Sequence, residues 1–181
     1  MNIYFIAGPP GIGKSTYGRE LVPAQVPIID HDLAAYQYKK QGFSDYSELA
    51  SLKANELIKN CLATRQDFAL ELNLGYQSHY DYLKSVSSNK FVRIHLILFF
   101  TNDVNLCLLR ADIRYKNGGH LVNSKIIIEM YNNTLPLLKQ NLKLFSSITF
   151  ISVFGLDIEK VNRSKIPKWI IDDIFLQYIK E

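Results

Sequence analysis

An α/β fold is predicted for this chain: a mainly parallel five-stranded sheet with helices on both faces. Three observations predict it. Strand-like and helix-like segments alternate along the 181 residues. The strand-like runs are apolar almost without a break, as strands covered on both faces must be. A Gly-rich loop separates the first strand from the first helix, and sheets of this kind bind ligands at the carboxyl ends of their strands.

The elements follow in order. Residues 2–7 form a first apolar strand, and residues 14–22 suit a helix. Val26–Asp30, bounded by Pro23 and Pro27, is a second short strand. Leu49, Leu52, Leu57, Ile58, Cys61 and Leu62 recur at three- and four-residue spacing within a long helical region. Phe68–Leu72 is a third strand, Tyr76–Ser88 a helix and Phe91–Phe100 a fourth strand. Asn102–Tyr115 is a helix with an Asn or Asp start signal. Residues 124–145 are helical, with Pro136 expected to kink or divide them. Ile148–Val153 is the fifth strand, and Ile166–Lys180 is expected to close the chain as an amphipathic helix on Trp169, Ile170, Ile174 and Ile179.

Composition narrows the class. Hydrophobic residues make up 48% and charged residues 21%, an ordinary globular balance that one domain spanning residues 1–181 can use to bury a core. The net charge of +4 fits an anionic ligand without requiring nucleic acid. Cys61 and Cys107 lie in helix-like apolar patterns, outside any C-x-x-C pair, and read as buried thiols of a reducing compartment. His31, His79, His95 and His120 have no metal-ligand spacing. With no signal peptide ahead of the first strand and no apolar run long enough to span a bilayer, the expected location is the cytoplasm.

Residues 8–15, Gly-Pro-Pro-Gly-Ile-Gly-Lys-Ser, complete a G-x-x-x-x-G-K-[ST] phosphate loop between strand and helix. Its glycines let backbone N–H groups turn toward a polyphosphate. The helix start adds the positive end of its dipole. Lys14 would reach the β- and γ-phosphates, and Ser15 would hold Mg²⁺. The nucleotide-binding candidates are therefore Gly8, Pro9, Pro10, Gly11, Ile12, Gly13, Lys14, Ser15 and Thr16. A dinucleotide fold is excluded by the glycine order, G-x-x-G-x-G, and by its having no use for Lys14-Ser15. The motif predicts a three-layer P-loop NTPase fold that binds ATP or GTP.

Polar residues at strand ends mark the chemistry. Asp30, His31 and Asp32 follow the second strand, and Glu71 and Asn73 close the third. Asp30, Asp32 and Glu71 can converge near the γ-phosphate, where carboxylates hold Mg²⁺, orient an acceptor hydroxyl or take its proton. Asp32 also suits a helix cap. Glu71 interrupts an apolar string, and an unpartnered buried carboxylate is costly. The fourth strand lacks the terminal Asp-Glu of motor ATPases, which favours a small kinase. Arg110 and Arg114 share one helix face, ahead of Gly118-Gly119 and His120. A basic helix end with a Gly hinge suits a closing lid near residues 110–122.

This ordered set, from Phe5-Ile-Ala-Gly-Pro-Pro-Gly-Ile-Gly-Lys-Ser-Thr16 through Asp32 and Phe68-Ala-Leu-Glu71 to Arg110, Arg114, Gly118-Gly119 and His120, resembles the zeta-toxin-like P-loop kinases. The likeness covers roughly residues 1–155. It implies a sheet of kinase type, ATP as donor with Mg²⁺, and a small anionic acceptor, a UDP-N-acetyl amino sugar in well-studied zeta toxins. By match, Lys14 and Ser15 serve ATP and the metal, and Asp32 is the general base and a second metal candidate. Glu71 positions substrate, and the arginines lie in the lid. Asp30, Asn73 and His120 complete the substrate side, with Asn73 standing where relatives often carry Thr. Many relatives pair with an antitoxin protein, so one is an expected partner; a membrane or nucleic acid is not. The competing readings are a kinase of nucleotides or nucleic-acid ends, and an ATPase switch without an acceptor.

Overall fold

A computed structural model describes residues 1–88, 91–119 and 121–179. The elements are β1 (Asn2–Ala7), α1 (Lys14–Tyr17), β2 (Ile28–Ile29), α2 (His31–Lys40), α3 (Tyr46–Thr64), β3 (Phe68–Leu72) and α4 (Gln77–Ser87). Then come β4 (Arg93–Phe100), α5 (Val104–Lys116), α6 (Ser124–Asn141), β5 (Ser147–Phe154) and β6 (Asp157–Lys160). The strand order is β2-β3-β1-β4-β5-β6. The first five strands pair in parallel, as expected. The sixth was not foreseen: Gly155, at φ +55°, turns the chain so that β6 pairs antiparallel with β5.

Alternation along the central strands explains their unbroken apolar composition. Ile3, Phe5, Leu96, Leu98 and Phe100 enter one core, with Leu70, Tyr80, Leu83, Leu138 and Trp169. Ile6, Ile97 and Phe99 enter the core on the opposite face, with Ile12, Cys107 and Ile151. Successive side chains of a strand point to opposite faces, so a sheet covered twice needs apolar residues at every position. Both cysteines are free and buried. One polar strand residue, His95, is paired: its ring nitrogens lie 2.8 Å from Ser147 Oγ and 3.1 Å from Asn2 Oδ1.

Three helical expectations are corrected. The first helix is α-helical only over Lys14–Tyr17 and continues as a 3₁₀ turn, Gly18–Leu21, before Pro23. α6 runs through Pro136 to Asn141 and ends in the 3₁₀ turn Leu142–Leu144. The C-terminal segment is not an amphipathic helix but irregular chain with a 3₁₀ turn, Asp173–Tyr178. Pro167 and the Asp172 cap interrupt it, and packing replaces periodicity. Trp169, Ile170, Phe175 and Ile179 are buried, and Trp169 Nε1 donates to Ser152 Oγ at 3.1 Å. Among the described residues no helix is long and apolar enough to cross a membrane.

Candidate active site

β1 lies between β3 and β4, where the chain switches from building one side of the sheet to the other. A crevice opens at such a point, outside the carboxyl ends of the strands. The phosphate loop follows β1 directly. A Cβ on Gly8, at φ +142°, would stand 2.3 Å from the Phe99 carbonyl oxygen of β4. A Cβ on Gly11, at φ +81°, would stand 2.3 Å from the Cys107 carbonyl oxygen of α5. These two glycines let the loop seat against rigid backbone on both sides.

Lys14 is 6% exposed. Its Nζ donates to the carbonyls of Gly8 at 2.8 Å and Pro9 at 3.2 Å, and to Asn73 Oδ1 at 2.9 Å. Burial lowers its pKa, while Glu71 and Asp32 pull it back up and Arg114 lowers it further. Asn73 reaches Lys14 because the chain turns sharply after β3: Leu74 is buried at φ +53°, a strained region for a residue with a Cβ.

Ser15 Oγ lies 3.0 and 2.9 Å from the two carboxylate oxygens of Glu71. Burial raises the pKa of Glu71, Lys14 opposes this, and Asp30 adds to the rise. The interruption in the β3 apolar string is thus a carboxylate aimed at the phosphate loop. Asp32, in the first turn of α2, is exposed beside His31, whose Nδ1 is 3.6 Å from Asp32 Oδ1. The capping role falls to Asp30, whose side chain accepts from the Leu33 N–H at 2.9 Å.

A cavity of about 630 Å³ collects these groups. Its wall includes Pro10, Gly11, Gly13, Lys14, Ser15, Thr16, Asp32, Glu71, Asn73, Arg110 and Arg114. Asp30, Gly8, Pro9 and Ile12 are not in that wall: Gly8 and Pro9 serve it through carbonyls to Lys14, Asp30 caps α2, and Ile12 is fully buried. His120 lies outside the described residues. Leu121 and Val122, within the segment expected to act as a lid, also line the cavity, and so do Tyr17, Asn123, Ile126, Met130 and Leu156, which sequence reasoning missed. The only available signal was the four-residue spacing of Ile126 and Met130, which places them on one face of α6.

The two arginines differ. Arg110 Nη1 donates to the Ile12 carbonyl at 2.8 Å, and Nη2 donates to the Gly155 carbonyl. It ties the phosphate loop to the β5–β6 turn. Arg114 Nε is buried with no hydrogen-bond partner among the described residues, and the residue faces the cavity. After α5, Gly118 at φ +86° donates its N–H to the Tyr115 carbonyl and Gly119 to the Arg114 carbonyl, both at 2.9 Å. This pair of bonds is a Schellman helix stop. The glycines therefore end α5 in a hydrogen-bonded cap.

The oxygen donors of Ser15, Asp32 and Glu71 suit Mg²⁺, which binds through one or two side chains together with substrate phosphates. Among the described residues no three His, Cys, Asp or Glu side chains gather to hold a metal unaided.

No family model matches the chain. A Haemophilus influenzae protein of uncharacterised function is 30% identical over 127 residues, 70% of this chain and 90% of that protein. A Chloroflexus aurantiacus structure described as a candidate kinase superposes with a TM-score of 0.61 at 14% identity, over 98% of each chain. A structure from the PezAT chromosomal toxin–antitoxin system of Streptococcus pneumoniae also reaches 0.61, at 20% identity, over 99% of this chain and 76% of that one. At these identities the two structures speak to the fold, and it is the fold expected from the zeta-toxin-like resemblance.

Proposed function

We propose, for a chain that belongs to one family with the Haemophilus influenzae protein and has the zeta-toxin-like P-loop kinase fold, that it transfers the γ-phosphate of ATP to a hydroxyl of a small metabolite. One observation carries the reading. Lys14, Ser15, Asp32, Glu71, Asn73 and Arg114 line a single cavity at the carboxyl ends of β1, β2 and β3.

ATP with Mg²⁺ supplies the phosphoryl group and neutralises part of its charge. Backbone N–H groups of the loop bind the phosphates. The Lys14 ammonium is held among carbonyls by hydrogen bonds that phosphate oxygens can take over. Ser15 is the proposed metal-side donor, with Glu71 fixing its hydroxyl, and Asp32 is the second metal candidate only if it is not the base. Asp32 takes the acceptor's proton, and its exposed position leaves room for an incoming hydroxyl. Arg114 meets charge on the migrating phosphoryl group. Arg110 supports the loop from behind. Closure of the segment near residues 110–122 as a lid remains part of the proposal.

An ATP-consumption screen with products identified by mass tests this reading. The panel spans anionic acceptors, UDP-N-acetyl amino sugars first, and uncharged alcohols. The expected result is phosphorylation of an acceptor that requires Mg²⁺ and Lys14. ATP hydrolysis that no acceptor stimulates would leave an ATPase switch instead. The antitoxin partner rests on the resemblance alone. Its first check is growth arrest on expressing the wild-type chain, and relief of that arrest by Lys14→Ala.

A further inference from the structure

A second cavity, of about 290 Å³, adjoins the first, and Glu71 belongs to both walls. Ala54 and Ile58 of α3, Leu70 and Leu72 of β3 and Tyr82 of α4 give it a largely apolar lining. His31, Ser51 and Asn55 add polar edges. His31 reaches in both directions: its Nε2 is 2.7 Å from Ser51 Oγ, and its Nδ1 is 3.6 Å from Asp32. Among the described residues no Lys or Arg lines this cavity. In the first cavity the cations are Lys14, Arg110 and Arg114. Lys14 is held by the phosphate loop, and Arg110 by the Ile12 and Gly155 carbonyls.

An acceptor approaching Asp32 and Glu71 therefore meets two carboxylates. Among the described residues the second cavity supplies no Lys or Arg to offset them, and Arg114, in the first, is the cation assigned to the migrating phosphoryl group. An acceptor phosphate or carboxylate there would be repelled, and like-charge juxtaposition is an effective means of rejection. The second cavity is also small. It falls at the lower edge of ligand pockets, which run about 300–1,000 Å³, so it takes one ring.

Resting on the kinase reading, we infer that the acceptor is an uncharged hydroxyl compound with an apolar ring. The ring lies against Ala54, Ile58 and Leu72, and the hydroxyl lies at Asp32. In the transfer, the hydroxyl oxygen bonds to the γ-phosphorus as the bond from that phosphorus to the ADP oxygen breaks. The hydroxyl proton passes to Asp32 and then to solvent. ATP and the alcohol become ADP, a phosphate monoester and a proton. The acceptor class thus departs from the anionic sugar nucleotide that the resemblance implies.

A matched pair of probes tests the inference. Phenyl β-D-glucopyranoside and phenyl β-D-glucuronide differ by a hydroxymethyl against a carboxylate. Binding of each, and of UDP-N-acetylglucosamine, is measured by calorimetry to the full chain loaded with Mg²⁺ and a non-hydrolysable ATP analogue. The glucoside should bind at least about tenfold tighter than either anion. Ala54→Phe, which fills the cavity, should abolish glucoside binding and leave analogue binding unchanged. Asn55→Lys, at an exposed position that should not disturb folding, should move the preference toward the glucuronide by about tenfold. Equal or tighter binding of either anion, or no binding of the glucoside, overturns the inference while the kinase reading stands. Failure to bind the ATP analogue at all sinks the kinase reading, and the inference with it.

Discussion

On the nucleotide side, Lys14 is 6% exposed and its ammonium makes three hydrogen bonds. On the acceptor side, α2, which carries Asp32, buries none of its residues. The loop is wedged against backbone at Gly8 and Gly11 and braced by Arg110. α2 leans on α3 and is anchored at its start by the Asp30 cap. The difference follows from the task. A triphosphate presents the same charges each time, so its cradle is best preorganised. An acceptor has to enter and leave, and elements with few buried contacts are those that open at low cost.

The sharpest test of this contrast separates chemistry from donor binding. Asp32→Asn should cut acceptor phosphorylation by about 10²- to 10⁴-fold while Mg²⁺–ATP affinity stays within a fewfold. Asn can hold the same place in the first turn of α2, so the melting temperature should not move. Loss of Mg²⁺–ATP binding instead would move Asp32 from the acceptor side to the metal. Lys14→Met should lower turnover by about 10²- to 10³-fold, because an ammonium in a water-poor site acts strongly on phosphoryl charge. Thermal unfolding should show the fold retained, since the change removes a buried charge whose desolvation opposes folding. Turnover at the wild-type rate would end the phosphate-loop assignment.

Splitting the arginines tests the bracing. Arg110→Ala frees two carbonyls from a guanidinium and should weaken Mg²⁺–ATP binding by about tenfold, seen in calorimetry. Arg114→Ala should lower turnover more than it lowers ATP affinity. The reverse pattern would exchange their roles.

The smallest expected effect is on stability. Burial raises the pKa of Glu71 above its ordinary 4.5. Its folding contribution is therefore most favourable at acid pH and is lost as pH climbs from 4.5 through the raised value. Glu71→Gln does not ionise, so the melting temperature of wild type minus Glu71→Gln should fall across that window. A difference that is flat in pH, or that rises, would mean that the Ser15 and Lys14 contacts outweigh burial.

Glu71 and Asp30 show how much of this was legible beforehand. A carboxylate inside the β3 apolar string announced Glu71, because an apolar string has no use for a charge. Asp30 and Asp32 are two residues apart with identical chemistry, and which one caps α2 depends on backbone dihedrals, not on residue type. Asp30 takes the extended conformation of an N-cap, and its neighbour two residues on is left to face the cavity. Gly118-Gly119 likewise announced a helix end, but only the bonds back to Tyr115 and Arg114 show a closed cap.

The sequence by itself determined the phosphate loop, the parallel sheet and the buried faces, because each is a local pattern with a fixed physical meaning. Glycine spacing permits the turn, unbroken apolar runs demand cover on both faces, and Lys14-Ser15 follows from the loop. Only the tertiary structure decided the rest. It hydrogen-bonded Ser15 to Glu71 across 56 positions of chain and Arg110 to Ile12 across 98. It brought α6 over the cavity, added β6 to the sheet edge, and packed the C-terminal segment around Trp169 without a helix. These contacts join residues far apart in sequence, where no local periodicity reports on the partner and packing overrides propensity.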